Sequence, residues 1–139
     1  MPLSILCINQ KLTDYLKKKF PEREKTGISE ILSLSKGWET ELFSFVYSYQ
    51  DREKKYRENL ILRIYPGTDT TNKTRREYNA LKVLYKTGYP VPKTYILELN
   101  PSFFNYPFII MERILGSDMG NAFLKLQMKK ITKNYKKKS

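Results

Sequence analysis

One arginine stands inside the most apolar stretch of the chain. In Leu60-Ile61-Leu62-Arg63-Ile64-Tyr65 the two-residue period of a strand puts Arg63 on the same side as Ile61 and Tyr65. A guanidinium buried there without a counter-charge costs several kcal/mol, so the position calls for a carboxylate or an anionic ligand. Glu77 is the natural partner. It precedes Ala80, Leu81 and Leu84 by three, four and seven residues, which sets it near the inward stripe of a helix. An Arg–Glu pair between strand and helix satisfies both charges. The other reading has Arg63 snorkelling to the sheet edge and Glu77 solvated in the first helical turn, where the helix dipole favours an acid.

Two further stretches have chemical potential. Ser35-Lys36-Gly37-Trp38-Glu39-Thr40 separates two strand-like runs. It is either an ordinary hairpin turn or a loop whose backbone N–H groups cover phosphates, with Thr40 as a small hydroxyl beside them. Met111-Glu112-Arg113-Ile114-Leu115-Gly116 takes a buried strand into a polar linker. It is either a plain connection or a set of backbone donors and acceptors beside an apolar wall that suits a planar base.

Other chemistries are excluded by composition. The chain has no histidine and one cysteine, Cys7. That rules out Ser-His-Asp and Cys-His nucleophile systems, imidazole metal sites, Cys-based zinc sites and an internal disulfide framework. No apolar run approaches the roughly 18 residues that cross a bilayer, and a secretory leader pattern is absent, so no membrane partner is expected. The lone thiol suits a reducing, cytoplasmic setting.

The elements that must position these residues follow from periodicity. Ile8, Leu12, Tyr15, Leu16 and Phe20 have the spacing of an amphipathic helix, which Pro21 and Gly27 are expected to end. Strands are predicted over 28–35, over 42–49 with Phe43, Phe45, Tyr47 and Tyr49 on one face, over 60–65, over 94–97 and over 107–113. The charged stretch 50–59 reads as a solvated hairpin loop. A helix is predicted over 72–87, stopped by Gly88 and the prolines beyond it, and another opens after Gly116 with Met119, Ala122, Phe123 and Leu126 on one face. The expected fold class is α+β: a five-stranded antiparallel sheet with one packed helix, an N-terminal helix and a C-terminal helix. The expected organisation is an N-terminal helical segment (1–27), a lobe (28–116), and a helix with a Lys-rich tail (117–139).

Charge divides along the same lines. The chain has 26 basic and 14 acidic residues, a net charge of +12. Seven lysines and no acid lie between Asn121 and Ser139, and without them the net charge falls to +5. Such a tail can bind polyanions without sequence preference, so the alternative function is a basic nucleic-acid or partner-binding module acting through the Lys-rich tail and an exposed apolar face. Specific RNA recognition is not expected. Against the aromatic strand motif of RNA-recognition folds, Glu41 to Ser48 matches at Phe43, Phe45 and Val46 but fails at Glu41, Leu42 and Ser48.

Together, LSKGWETELFSF (34–45), LILRIYPG (60–67), RREYNALKVLYKTGYPVPKTY (75–95) and PFIIMERILG (107–116) resemble the N-terminal, nucleotide-binding lobe of the aminoglycoside phosphotransferase and choline kinase-like family, relatives of protein kinases. The resemblance implies a protein-kinase-like N-lobe. It implies that Ser35, Lys36, Gly37, Trp38, Glu39 and Thr40 form the phosphate-covering loop. Arg63 stands at the position of the strand-three lysine that pairs with nucleotide phosphates, and Glu77 at that of the helix glutamate orienting it. Met111 borders the adenine slot, with the carbonyl of Glu112 and the N–H of Ile114 offered to the adenine edge. The implied cofactor is ATP, with magnesium expected alongside although no metal ligands are identified in this chain.

Phosphoryl transfer of this type also needs a catalytic-loop Asp, a nearby Asn and a magnesium-binding Asp beyond the hinge. The aspartates are Asp14, Asp51, Asp69 and Asp118, and none lies beyond the last. The expectation is a truncated, phosphotransferase-like protein that is inactive as this chain alone and has no catalytic residue of its own. Its expected partners are a nucleotide and either a separate C-terminal-lobe polypeptide or a second copy of itself.

Overall fold

The computed structural model describes residues 4–36 and 40–114. Its first element, α1 (Ile5–Lys19), starts where Ser4 caps it, the Ser4 Oγ accepting the Cys7 N–H at 3.1 Å. The helix therefore begins almost a turn before the apolar stripe. Lys17, Lys18 and Lys19 close it at the dipole's negative end. Ile8, Leu12, Tyr15 and Leu16 are its buried face.

Five strands follow, interrupted by one helix: β1 (Glu24–Lys36), β2 (Glu41–Asp51), β3 (Lys54–Ile64), α2 (Thr71–Lys86), β4 (Thr94–Glu98) and β5 (Phe108–Glu112). They form one antiparallel sheet in the order β1-β2-β3-β5-β4, with β3 at its centre. Strand alternation sorts the apolar residues onto two faces. Phe43, Phe45, Tyr47 and Tyr49 share one face with Leu60, Leu62, Ile64, Phe108 and Ile110, and α1 packs there. Tyr15 anchors that contact, donating to Glu98 Oε1 at 2.9 Å and meeting Phe108 edge-on at 5.1 Å between centroids. Leu42, Ile61, Tyr65, Ile109 and Met111 share the opposite face with Leu81 of α2 and Val91.

Two local expectations are corrected. Residues 50–59 are not a loop: β2 and β3 stay paired down to Asp51 and Lys54, with only Arg52 and Glu53 between them. Both turn residues have positive φ, 51° and 70°, the left-handed geometry of a tight two-residue hairpin. The charged side chains reflect solvent exposure of paired strands, and Tyr56 still stacks on Tyr49 with centroids 4.9 Å apart. Nor does Gly27 end the N-terminal region, since β1 already starts at Glu24 and Gly27 pairs with Ser48. A bulge at Lys25, with φ of 53°, absorbs the irregularity that the glycine suggested. The helix expected after Gly116 falls outside the described residues.

Candidate functional site

Arg63 sits near the end of β3 with Leu42 of β2 on one side and Ile109 of β5 on the other. Strand alternation turns it toward the face that carries α2, and there it is only 6 % exposed. Helix α2 buries Thr74, Glu77, Ala80 and Leu81, of which Ala80 and Leu81 belong to the stripe read from its sequence, whereas Tyr85 of that stripe is exposed. Glu77 thereby reaches the sheet. Its Oε1 accepts from Arg63 Nη2 at 3.2 Å, and the residue is 3 % exposed. Of the two readings open for this pair, the snorkelling arginine and solvated glutamate are excluded.

A third side chain completes the group. Arg63 Nε donates to the Tyr65 hydroxyl at 2.9 Å. Tyr65 is fully buried. Burial pushes its phenol well above the usual value of 10.0, and the Glu77 charge adds to the shift while Arg63 opposes it. The connection to α2 is tied to the same residue: Thr70 Oγ1 donates to the Tyr65 carbonyl at 2.9 Å, and Thr74 Oγ1 to the Thr70 carbonyl at 2.7 Å. Gly67, at φ of 104°, provides the left-handed residue that turns the chain from β3 back toward α2.

The remaining candidates lie along the same face. Ser35 and Lys36 end β1 opposite Leu42 and Glu41, at the edge nearest Arg63. Gly37, Trp38 and Glu39 are outside the described residues, and half-buried Thr40 leads into β2. Met111 is fully buried opposite Ile61. Beyond it Glu112 closes β5 against Leu60, its N–H donating to the Lys93 carbonyl at 2.8 Å. The Glu112 carboxylate accepts the Lys93 N–H at 3.3 Å, and Arg113 N–H reaches the Asn59 carbonyl at 3.0 Å. Ile114 is 45 % exposed. The end of β1, Arg63, the Ile61–Met111 pair and residues 112–114 therefore follow one another along β3.

Sequence reasoning missed two residues of this face. Tyr65 was legible only as an apolar neighbour, although its two-residue spacing from Arg63 is the signal that both point the same way. Ser44 is fully buried opposite Ile61, and its Oγ makes no hydrogen bond among the described residues. Its position between Phe43 and Phe45 marks it as the odd-face residue of an aromatic alternation.

A buried cation locked to a carboxylate from another element, beside an apolar strip, is an arrangement suited to holding a polyanion next to a flat apolar group. The model of the phosphotransferase enzyme family, APH, matches residues 34–132. The chain belongs to this family. Among solved structures, the chain is similar to a putative aminoglycoside phosphotransferase from Ralstonia eutropha JMP134, at 22 % identity and a TM-score of 0.51. The match covers 77 % of this chain and 28 % of that one, so the chain spans well under a third of the solved structure it resembles. No curated protein matches. At this identity the likeness is one of fold. The described residues of this phosphotransferase-family chain build a kinase-like N-lobe, with α1 laid over the face turned away from Arg63. Among the described residues, no helix is long and apolar enough to cross a membrane.

Proposed function

We propose that this chain is the ATP-binding lobe of a small-molecule phosphotransferase, with the nucleotide lying along the face that carries Leu42, Ile61, Arg63 and Met111. The observation that carries the proposal is the buried Arg63–Glu77 pair, joined at 3.2 Å across β3 and α2. Burying two charges is rarely a stabilising choice, since apolar residues of similar volume usually do as well. A fixed cation aimed along an apolar strip is what a polyphosphate needs.

Each candidate then has a role. Ser35 to Thr40 cover the phosphates with backbone N–H groups, and Arg63 screens phosphate charge while Glu77 holds it in place. Met111 borders the base, and the Glu112 carbonyl and Ile114 N–H bond its edge. Magnesium would accompany the nucleotide, bound in part by its phosphates. Transfer itself needs a carboxylate to orient the acceptor hydroxyl. Because no aspartate follows Asp118, that step is assigned to groups these 139 residues do not supply, from a second polypeptide or further chain. The solved relative is a putative aminoglycoside phosphotransferase, which supports an alcohol-bearing small molecule as the acceptor class. ATP as ligand and a single free thiol, Cys7, agree with a cytoplasmic setting.

The test is thermal stability during titration with ATP and magnesium, for the chain itself, Arg63→Ala and a chain shortened to Gly120. Stabilisation lost in Arg63→Ala and kept on shortening supports the proposal. No ATP effect, together with salt-sensitive oligonucleotide binding that shortening removes, transfers the function to the lysine-rich segment.

A further inference from the structure

The Nε and Nη2 nitrogens of Arg63 lie on one edge of its planar guanidinium, and both are engaged by the fold. Nε donates to the Tyr65 hydroxyl at 2.9 Å and Nη2 to Glu77 Oε1 at 3.2 Å. One edge of the guanidinium is thus held by both side chains. The contact at Nε, added to the one at Nη2, restrains the plane of the guanidinium. We infer that Tyr65 is a positioning residue for nucleotide binding: its hydroxyl sets the plane of the Arg63 guanidinium, and so the direction in which that cation meets the polyphosphate. This rests on the nucleotide reading above and adds a residue to it.

Three features mark the hydroxyl as more than a filler of space. Tyr65 is fully buried although its O–H is polar, and a phenylalanine of the same shape would pack against Leu81 and Ile109 equally well. The ring centroid lies 5.3 Å from the guanidinium carbon, so ring and hydroxyl both restrain Arg63. The Tyr65 carbonyl is held by Thr70, which couples the backbone under the phenol to the start of α2. A lysine at position 63 would have no Nε–H to offer, and the hydroxyl at 65 is matched to an arginine fork.

The experiment compares ATP and adenosine, because only ATP carries the charge that Arg63 meets. Their dissociation constants are measured for the full chain, Tyr65→Phe, Arg63→Ala and the double variant. The inference predicts about tenfold weaker ATP binding in Tyr65→Phe, the worth of a hydrogen bond to a charged group, with adenosine unchanged. It also predicts no further loss when Tyr65→Phe is added to Arg63→Ala. Equal weakening of both ligands, or ATP binding that Arg63→Ala loses and Tyr65→Phe keeps, overturns the inference alone. Absence of ATP binding in the unaltered chain overturns the nucleotide reading and this inference together. Should Tyr65→Phe not fold, the Arg63 Nε–H resonance of the 15N-labelled full chain decides. It is expected to exchange slowly with water and to shift with ATP but not adenosine, and a fast-exchanging or ATP-insensitive signal overturns the inference.

Discussion

Arg63 Nη2 on β3 and Glu77 Oε1 on α2 lie 3.2 Å apart, and each side chain is more than nine-tenths buried. This pair joins the helix to the centre of the sheet by polar contact. Its energetics are asymmetric. Losing one member strands a charge in an apolar interior, whereas losing both removes the problem.

Arg63→Ala and Glu77→Ala are each expected to destabilise the chain by about 3–5 kcal/mol, because each takes the opposite charge of the buried pair away from its neighbour. The double variant Arg63→Met/Glu77→Leu is expected to be close to unaltered in stability. Urea unfolding of the three variants checks this. Equal destabilisation by the double variant would show the pair to be a net stabiliser.

Alkaline pH should unfold the chain through its buried phenols. Tyr15, Tyr47, Tyr49 and Tyr65 all have pKa values raised above 10.0, with burial as the leading cause in each. In the unfolded chain these groups lose protons near pH 10 while the folded chain keeps them. The unfolded state then binds fewer protons, so stability is intact below that pH and falls as pH rises beyond it. Each such group contributes a slope of up to about 1.4 kcal/mol per pH unit. Phenolate absorbance during alkaline unfolding, with Tyr15→Phe and Tyr65→Phe for comparison, should show a shallower fall in both variants.

Helix α1 is an integral part of the core. Leu12 is fully buried against the aromatic face of the sheet. Leu12→Ala should cost about 2–5 kcal/mol, and Ser4→Ala, which removes the cap bond to Cys7, about 1 kcal/mol. Chemical denaturation measures both. A near-zero effect of Leu12→Ala would mean that the sheet folds without this helix.

The β2–β3 turn holds Arg52 and Glu53 at φ of 51° and 70°, where side chains are disfavoured. Glu53→Gly should therefore raise stability by up to about 1 kcal/mol, read as a higher thermal midpoint. A lower midpoint would mean that the glutamate side chain holds the turn.

Much of this molecule was legible because one period dominated each segment. Phe43, Phe45, Tyr47 and Tyr49 alternate so cleanly that their common face needed no further information. Arg63 called for a nearby acid with helical access to the sheet, but a snorkelling arginine with Glu77 solvated was equally open until α2 was placed against β3. The paired character of Lys54 to Asn59 was hidden because polar side chains report exposure, while backbone pairing is set by the neighbouring strand. Gly27 misled in a similar way: the bulge is at Lys25, and nothing in the residue types reveals which strand position absorbs an extra residue. Tyr65 was visible as apolar, but its hydroxyl acquires meaning only when α2 brings Glu77 over it.

The central claim is that Arg63 and Glu77 form the phosphate end of a nucleotide site. Calorimetric ATP binding by the chain and by Arg63→Met/Glu77→Leu tests it most directly, because that variant removes the charges without stranding either one. The account predicts measurable binding by the chain and at least about tenfold weaker binding by the variant at matched thermal stability. Equal affinity in the two, or no binding by the chain itself, contradicts it.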